Sequence, residues 1–358
     1  MGFSDFLSNT EAVEQIRRML DAGRVPGALL FAGPEGVGKK TLALMLAKAL
    51  NCERLKDDFC GECARCRKAA QMIQAAEEDL ARRREIKDSR ARVEGLVYFD
   101  VQFIAPITGY ILIEQIRELR ATALTMPFEL PQRVFIIDEA ESVHWQAADL
   151  LLKMLEEPPA TTRIILICRN PFELRTTIRS RCRQIVFHPA DDSVIEKNLP
   201  QANGLTPPQR RLAVRVAGGS IAAAKNLDLS LYEQRRRPWL DYVQALAGAS
   251  PELADWRAVF SSSKTLAENR AEWNETLSTG AILAADLLRA LADDSGKTLV
   301  NLDIAPRIRS YAVKLGFRGI TMLHAGLQQA YRQRIRNINP ELSLEALALD
   351  IASTLPGK

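Results

Sequence analysis

Residues 33–39 read GPEGVGK, with an apolar run (Ala28, Leu29, Leu30) before them and an Ala- and Leu-rich stretch after. Strand, glycine turn and helix in that order make a phosphate-binding loop. Gly33, Gly36 and Gly38 let backbone N–H groups approach a polyphosphate. The following helix adds its dipole, and Lys39 reaches the β and γ oxygens. ATP or ADP is the ligand this chemistry expects. The next residue should be Ser or Thr, whose hydroxyl holds Mg²⁺, but the chain has Lys40, a cation that cannot ligate a metal. Thr41 offers a hydroxyl one position late, roughly 100° around the helix. The sequence thus predicts a pocket that admits nucleotide without efficient hydrolysis.

A second carboxylate-bearing strand end belongs to the same chemistry. Val134–Ile137 runs into Asp138, Glu139, Ala140 and Glu141. In a phosphate-loop site the Asp steers Mg²⁺ and the Glu polarises the attacking water. Beside the Lys40 defect, Glu139 reads as a vestigial catalytic residue. Alternatively, Asp138 caps a helix N-terminus.

Cys52, Cys60, Cys63 and Cys66 follow the spacing C-x7-C-x2-C-x2-C. Two overlapping knuckles and one upstream thiolate supply a tetrahedral Cys₄ set, which predicts structural zinc with no ligand position open for water. The alternative is a chance group of buried thiols. Cys168 reads as core strand and Cys182 as packing. Arg181, within Thr176–Cys182 (TTIRSRC), precedes the last strand signal of the first half. At that place in a phosphate-loop fold an arginine can act as a finger on a neighbour's γ-phosphate. With Arg179 and Arg183 beside it, a solvated loop arginine is the plainer reading of these residues alone.

The elements that must position these groups alternate in type. Strand signals fall at Ala28–Ala32, Leu96–Phe99, Val134–Ile137, Ile164–Cys168 and Gln184–Phe187. Several are continuous apolar runs, as expected of parallel strands covered on both faces. Helical stretches lie at Glu11–Ala22, Thr41–Leu50, Ile113–Leu124 and Trp145–Leu155. This predicts a doubly wound α/β core. After His188-Pro189 the strand signals stop. Three parts are expected: 1–190 as an α/β core with the cysteine module at 50–68, 191–236 as a small helical lid, and 237–358 as an all-helical domain. Breaks in the last part fall at Gly248–Pro251, Ser295-Gly296 and Asn339-Pro340.

With 48 basic and 44 acidic residues among 358, the chain carries a net +4 and is no general nucleic-acid sponge. No membrane-length apolar run or signal-peptide pattern is evident, so the cytoplasm is expected, and six cysteines there argue against a disulfide framework.

Together, GPEGVGKKT, the four cysteines, VFIIDEAE, Leu150–Pro159 (LLLKMLEEPP), TTIRSRC and the helical tail resemble the bacterial clamp-loader AAA+ subunits of DNA polymerase III. The resemblance covers essentially the whole chain. It implies an AAA+ core, a lid and a collar. It implies a hetero-oligomeric ring with delta and gamma/tau subunits that opens the sliding beta clamp and loads it on primed DNA. It also favours the finger reading of Arg181. Within the family, the branch called delta-prime fits better than the ATP-hydrolysing gamma/tau branch, which is the alternative. Lys40 replaces the metal-ligating hydroxyl. Ala222 stands in Gly218–Ala224 where gamma carries a lid arginine, and Cys168-Arg169-Asn170 stands where gamma carries a sensor Thr. The tail at Asn337–Leu347 also resembles delta-prime. Gln71–Glu94 departs from the family pattern, and its alternating charges predict a solvated helix running out of the cysteine module. Within it, Arg82–Arg84 are a candidate contact for DNA or an accessory protein, a protruding surface helix with no partner being the plainer reading.

Overall fold

A computed structural model describes residues 2–88, 90–199, 204–247, 255–293, 298–333 and 339–354. The chain divides into two compact units, one formed by Met1–Val194 with Gly219–Ile221, the other by Ile195–Gly218 with Ala222–Lys358. Residues 248–251 and 295–296, where two chain breaks are expected, and residues 337–338 of the tail motif lie outside the described residues.

The first unit is built on a five-stranded parallel sheet: β1 (Ala28–Ala32), β2 (Val101–Ile104), β3 (Arg133–Ile137), β4 (Thr162–Cys168) and β5 (Arg183–Val186). Their spatial order is β2-β3-β4-β1-β5, an AAA+-like α/β arrangement. In register, Leu30 lies opposite Leu166 and Phe135 opposite Ile164. β1 and β3 are buried at every residue, because helices cover both faces. Those helices are α1 (Thr10–Asp21), α2 (Lys39–Ala49), α3 (Ala64–Glu85), α4 (Ile113–Ala123) and α5 (Trp145–Glu156). One turn, α6 (Thr176–Arg179), precedes β5.

The second strand is displaced from its predicted place. Leu96–Phe99 is not a strand; β2 begins at Val101. Val97 is 66% exposed, whereas all four residues of β2 are buried. Gln102 and Asp100 broke the apolar signal there, and both have internal partners. Gln102 Oε1 accepts from Phe99 N, and its Nε2 donates to the Phe103 carbonyl. Asp100, fully buried, meets the equally buried Arg133 at 3.1 Å. The Asp100 carboxylate also accepts from the N–H groups of Phe128, Glu129 and Leu130. Arg133 donates to the carbonyls of Thr122, Thr125 and Met126. Both side chains thus also bond the end of α4 and the turn leading to β3, which is how a buried ion pair is tolerated.

The second unit is helical: α7 (Asp192–Asn198, entering from the first unit), α8 (Pro207–Val216), α9 (Ile221–Asn226), α10 (Leu229–Ala247), α11 (Trp256–Ala267), α12 (Trp273–Ala292), α13 (Ala305–Gln333) and α14 (Pro340–Ala352). α13 bends at Gly316, which leaves helical geometry at φ 63°. Trp239, Tyr242, Leu287, Ile308 and Ile351 form one core, with the Trp239 indole N–H on the Thr276 carbonyl and the Tyr242 hydroxyl on that of Leu344. Among the described residues, no helix is long and apolar enough to cross a membrane.

Candidate functional site

The phosphate loop lies between β1 and α2, as its sequence requires. Gly36 and Gly38 have φ of +78° and +92°. A β-carbon at Gly38 would sit 2.7 Å from the Phe6 ring, and one at Gly36 would sit 2.7 Å from Ser220 Oγ. Both positions therefore need glycine on two counts, backbone sign and space. Lys39 is buried and its Nζ donates to the carbonyls of Gly33 (2.6 Å) and Pro34. Burial lowers its pKa, opposed chiefly by the charge of Asp138. Thr41 is exposed.

Lys40 has its contacts outside the loop. Its Nζ lies 2.6 Å from Glu77 Oε1 on α3 and 4.0 Å from the centre of the Phe103 ring on β2. The side chain at the position where a metal-ligating hydroxyl is expected thus has contacts of its own, between the glycine loop and α3.

Asp138 and Glu139 follow β3. Asp138 N donates to the Ile104 carbonyl, and its Oδ1 accepts from Glu139 N at 3.0 Å rather than capping a long helix. Burial raises the Asp138 pKa, with the Glu139 N–H, Lys40 and Lys39 opposing. Glu139 adopts the left-handed conformation at φ 48° and is half-buried. β4 lies between β3 and β1, so Arg169 at its tip meets both loops. Its Nη2 is 3.4 Å from Glu35 and its Nε 3.9 Å from Glu141. Glu141 is raised in pKa by burial, and one of its oxygens is buried without a hydrogen-bond partner.

The four cysteines come together with their sulfurs all within 4.8 Å of one another. Cys63 N donates to Cys60 Sγ and Cys66 N to Cys63 Sγ, so successive knuckles direct N–H groups at sulfur. The N–H groups of Cys63 and Glu62, Cys63 first, lower the Cys60 thiol to about 6, while burial pushes Cys66 up to about 12. Tetrahedral thiolates around zinc stand about 3.8 Å apart, from a metal–sulfur bond of about 2.3 Å. The cluster fits such an ion and could hold a metal of that kind. Cys63 is also the N-cap of α3, which fixes the module to the helix leaving it. Cys168 and Cys182 stand apart, each raised to about 12 by burial.

α3 is less solvated than its charges suggest. Met72, Ile73 and Ala76 are buried, and so is Arg83. Arg83 donates to the carbonyls of Arg92, Glu94 and Gly95, and Arg84 to that of Pro106. Two of the three arginines considered for DNA contact are therefore engaged with the chain's own backbone. Arg82 pairs with Asp79 and remains exposed.

Arg181 lies between α6 and β5 and is 35% exposed. Its Nε donates to Glu156 Oε1 at 2.7 Å and its Nη1 to the Thr177 carbonyl at 2.9 Å. These two partners lie on α5 and α6, not on the chain's own phosphate loop. Arg179 stacks on the Phe172 ring instead.

Sequence reasoning missed Asn9. With φ 54°, its side-chain amide pairs with both the N–H and carbonyl of His188 (2.7 and 3.0 Å) and donates to the Val37 carbonyl at 3.3 Å. One residue thereby ties the N-terminal segment to the phosphate loop and to the chain leaving β5. The side chain makes no cap bond to α1. The available signal was the tolerance of Asn for left-handed backbone.

Residues 8–191, just over half of the chain, match the family model described as DNA polymerase III, delta subunit. The chain is 30% identical over 233 residues to DNA polymerase III subunit tau of Salmonella typhimurium, covering 63% of this chain and 32% of that protein. The Escherichia coli tau subunit gives the same identity and coverage. The chain thus spans about a third of the length of these curated relatives. Among solved structures, a gamma subunit-related protein of Thermotoga maritima aligns over 96% of this chain and 98% of its own, at 15% identity and a TM-score of 0.45. The phosphate loop, the acidic strand end and the cysteine module all lie within the matched residues, and the chain belongs to the delta-prime family of DNA polymerase III clamp-loader subunits.

Proposed function

We propose that the chain acts as a delta-prime-like stator of the clamp loader, supplying Arg181 in trans to ATP bound on an adjacent gamma/tau subunit. In this reading it assembles with delta and gamma/tau subunits in the cytoplasm. The ring loads the sliding beta clamp on primed DNA during replication. The second helical unit would provide the lid and the collar, and Cys52, Cys60, Cys63 and Cys66 would hold a structural zinc.

One observation carries the reading. Lys40 is committed to Glu77 and Phe103, so the position that should anchor Mg²⁺ in the chain's own pocket serves packing. Gly33, Gly36 and Gly38 have the positive φ of a glycine loop, Lys39 Nζ rests on the Gly33 carbonyl, and Arg181 has a half-exposed guanidinium, all of which support the reading. The expected result is nucleotide binding with little turnover. The test is co-purification with delta and gamma/tau subunits, read alongside the ATPase rate of the isolated chain. Stable assembly with negligible isolated turnover agrees with the proposal.

The second reading is an ATP-hydrolysing, gamma/tau-like subunit. Asp138 and Glu139 beside the loop favour it, as does identity to tau proteins. Mg²⁺-dependent turnover by the isolated chain would select it.

A further inference from the structure

A short path joins the cysteine module to the glycine loop. Between Cys52 and Cys60, residues 53–57 are all exposed and lie outside helix and strand, so little burial of their own holds them. Asp58, which follows them, is anchored. Its carboxylate accepts from the N–H groups of Phe3 (2.9 Å) and Phe59 (2.8 Å) and from the Arg17 guanidinium (2.6 Å). Phe3 is buried and meets the Phe59 ring edge-on, with 5.8 Å between ring centres. One turn later, Phe6 N donates to the Phe3 carbonyl, and the Phe6 ring fills the space a β-carbon on Gly38 would need. Asn9 then donates to the Val37 carbonyl at 3.3 Å. Residues 3–9 thus run from the metal-ligating segment to the glycine loop.

We propose that Asp58 is a positioning residue that couples metal occupancy of the cysteine module to the geometry of the glycine loop, by way of residues 3–9. Its consequence for nucleotide rests on the reading that the loop admits one. Held on one ion, Cys52 and Cys60 close the loop between them, which fixes where Asp58 stands. Asp58 then holds the Phe3 N–H by a charge-assisted hydrogen bond and draws Arg17 of α1 onto the same carboxylate. Without the ion the exposed run spreads and the carboxylate leaves with it. Phe3 N–H and Arg17 exchange Asp58 for water, and residues 3–9 lose the anchor at their start. Anchored and loose, those residues are the two-state element that both sites bias. Phe6 and Asn9 touch Gly38 and Val37, in the loop whose N–H groups a polyphosphate needs, so nucleotide favours the anchored state as the metal does. A second path runs through α3, where Cys63 caps the helix and Glu77 meets Lys40. It reaches the loop from the other side of Lys39, so mutation separates the two.

The test is amide hydrogen exchange of the full-length chain, zinc-loaded and after stripping by a chelator. In wild type, stripping should speed exchange about 10-fold at residues 36–39 as well as within residues 3–9 and 52–66. Zinc-loaded Asp58→Ala should exchange at residues 36–39 like stripped wild type, while residues 60–66 stay protected. Stripping that variant should change residues 36–39 no further. Asp58→Asn keeps an acceptor oxygen and should recover part of the protection. Coupling is reciprocal, so saturating ADP should tighten zinc binding about 10-fold in wild type and leave it unchanged in Asp58→Ala, read by chelator competition. Unchanged exchange at residues 36–39 in stripped wild type overturns the proposal. If Asp58→Ala still responds to zinc there while Glu77→Gln does not, the coupling runs through α3 and the role of Asp58 falls. If wild type binds no ADP, the nucleotide reading of the loop falls and the exchange experiment alone decides the role of Asp58. Should Asp58→Ala fail to fold or to retain zinc, Arg17→Gln removes the same ion pair from outside the module. It should keep zinc and partly loosen residues 3–9 and 36–39, and exchange like wild type would overturn the proposal.

Discussion

Arg181 is held by Glu156, with Nε 2.7 Å from Oε1 and the far end of the guanidinium on the Thr177 carbonyl. Glu156 belongs to the LEEPP run and Arg181 to the SRC run, so two motifs apart in sequence meet through one ion pair. A finger aimed at a neighbour's phosphate has to leave this carboxylate or share it. Glu156→Gln weakens the pair without removing the side chain. In the assembled complex it should lower the apparent KM for ATP by up to about 5-fold, the range of a half-exposed ion pair. ATP titration of clamp-stimulated hydrolysis checks it, and a raised KM would mean that Glu156 positions the finger rather than restraining it.

The cysteine module should bind one zinc ion per chain and lose it to a strong chelator. Zinc binding at a closed Cys₄ site contributes on the order of 10 kcal/mol to ordering its own segment. Removal should therefore expose residues near Phe59 and the start of α3, where Cys63 caps the helix. Elemental analysis with limited proteolysis measures this. Cys60→Ala should reproduce the chelated pattern.

Arg133→Ala should destabilise the first unit by about 3–5 kcal/mol, because Asp100 would remain buried without its cation. Arg133→Met with Asp100→Leu should recover part of that loss, although the turn at residues 125–130 then lacks its side-chain partners. Urea denaturation of the single and double variants measures the difference.

Lys40→Thr restores a hydroxyl at the metal position and removes the contacts to Glu77 and Phe103. The cost in stability should stay near about 1 kcal/mol, given a half-exposed pair and one cation–π contact. Nucleotide binding by the variant should become stronger in Mg²⁺ than in EDTA. Turnover should remain low because Ala222 offers no guanidinium. Melting curves and nucleotide titration test both parts.

Much of the site was legible because its groups are short and contiguous. The glycine loop, the Asp138-Glu139 strand end and the cysteine spacing each carry their meaning within a few residues. β1 and α4 appear where periodicity places them, with ends shifted by at most a residue. What escaped was long-range pairing. β2 was hidden because Asp100 and Gln102 look like loop residues until Arg133 and Phe99 N supply their partners. Arg83 looked like a solvent charge because the carbonyls it meets lie beyond the end of its own helix. The contacts of Asn9 with His188 and of Arg169 with Glu35 likewise join distant segments, and periodicity carries no information about them.

The direct test of the trans role is Arg181→Ala, assembled with delta and gamma/tau subunits and compared with wild type in single-turnover ATP hydrolysis with clamp and primed DNA. Hydrolysis at the neighbouring site should fall by about 10³-fold or more, the range known for arginine fingers, while assembly and nucleotide loading persist. An unchanged rate in an intact complex would contradict the account.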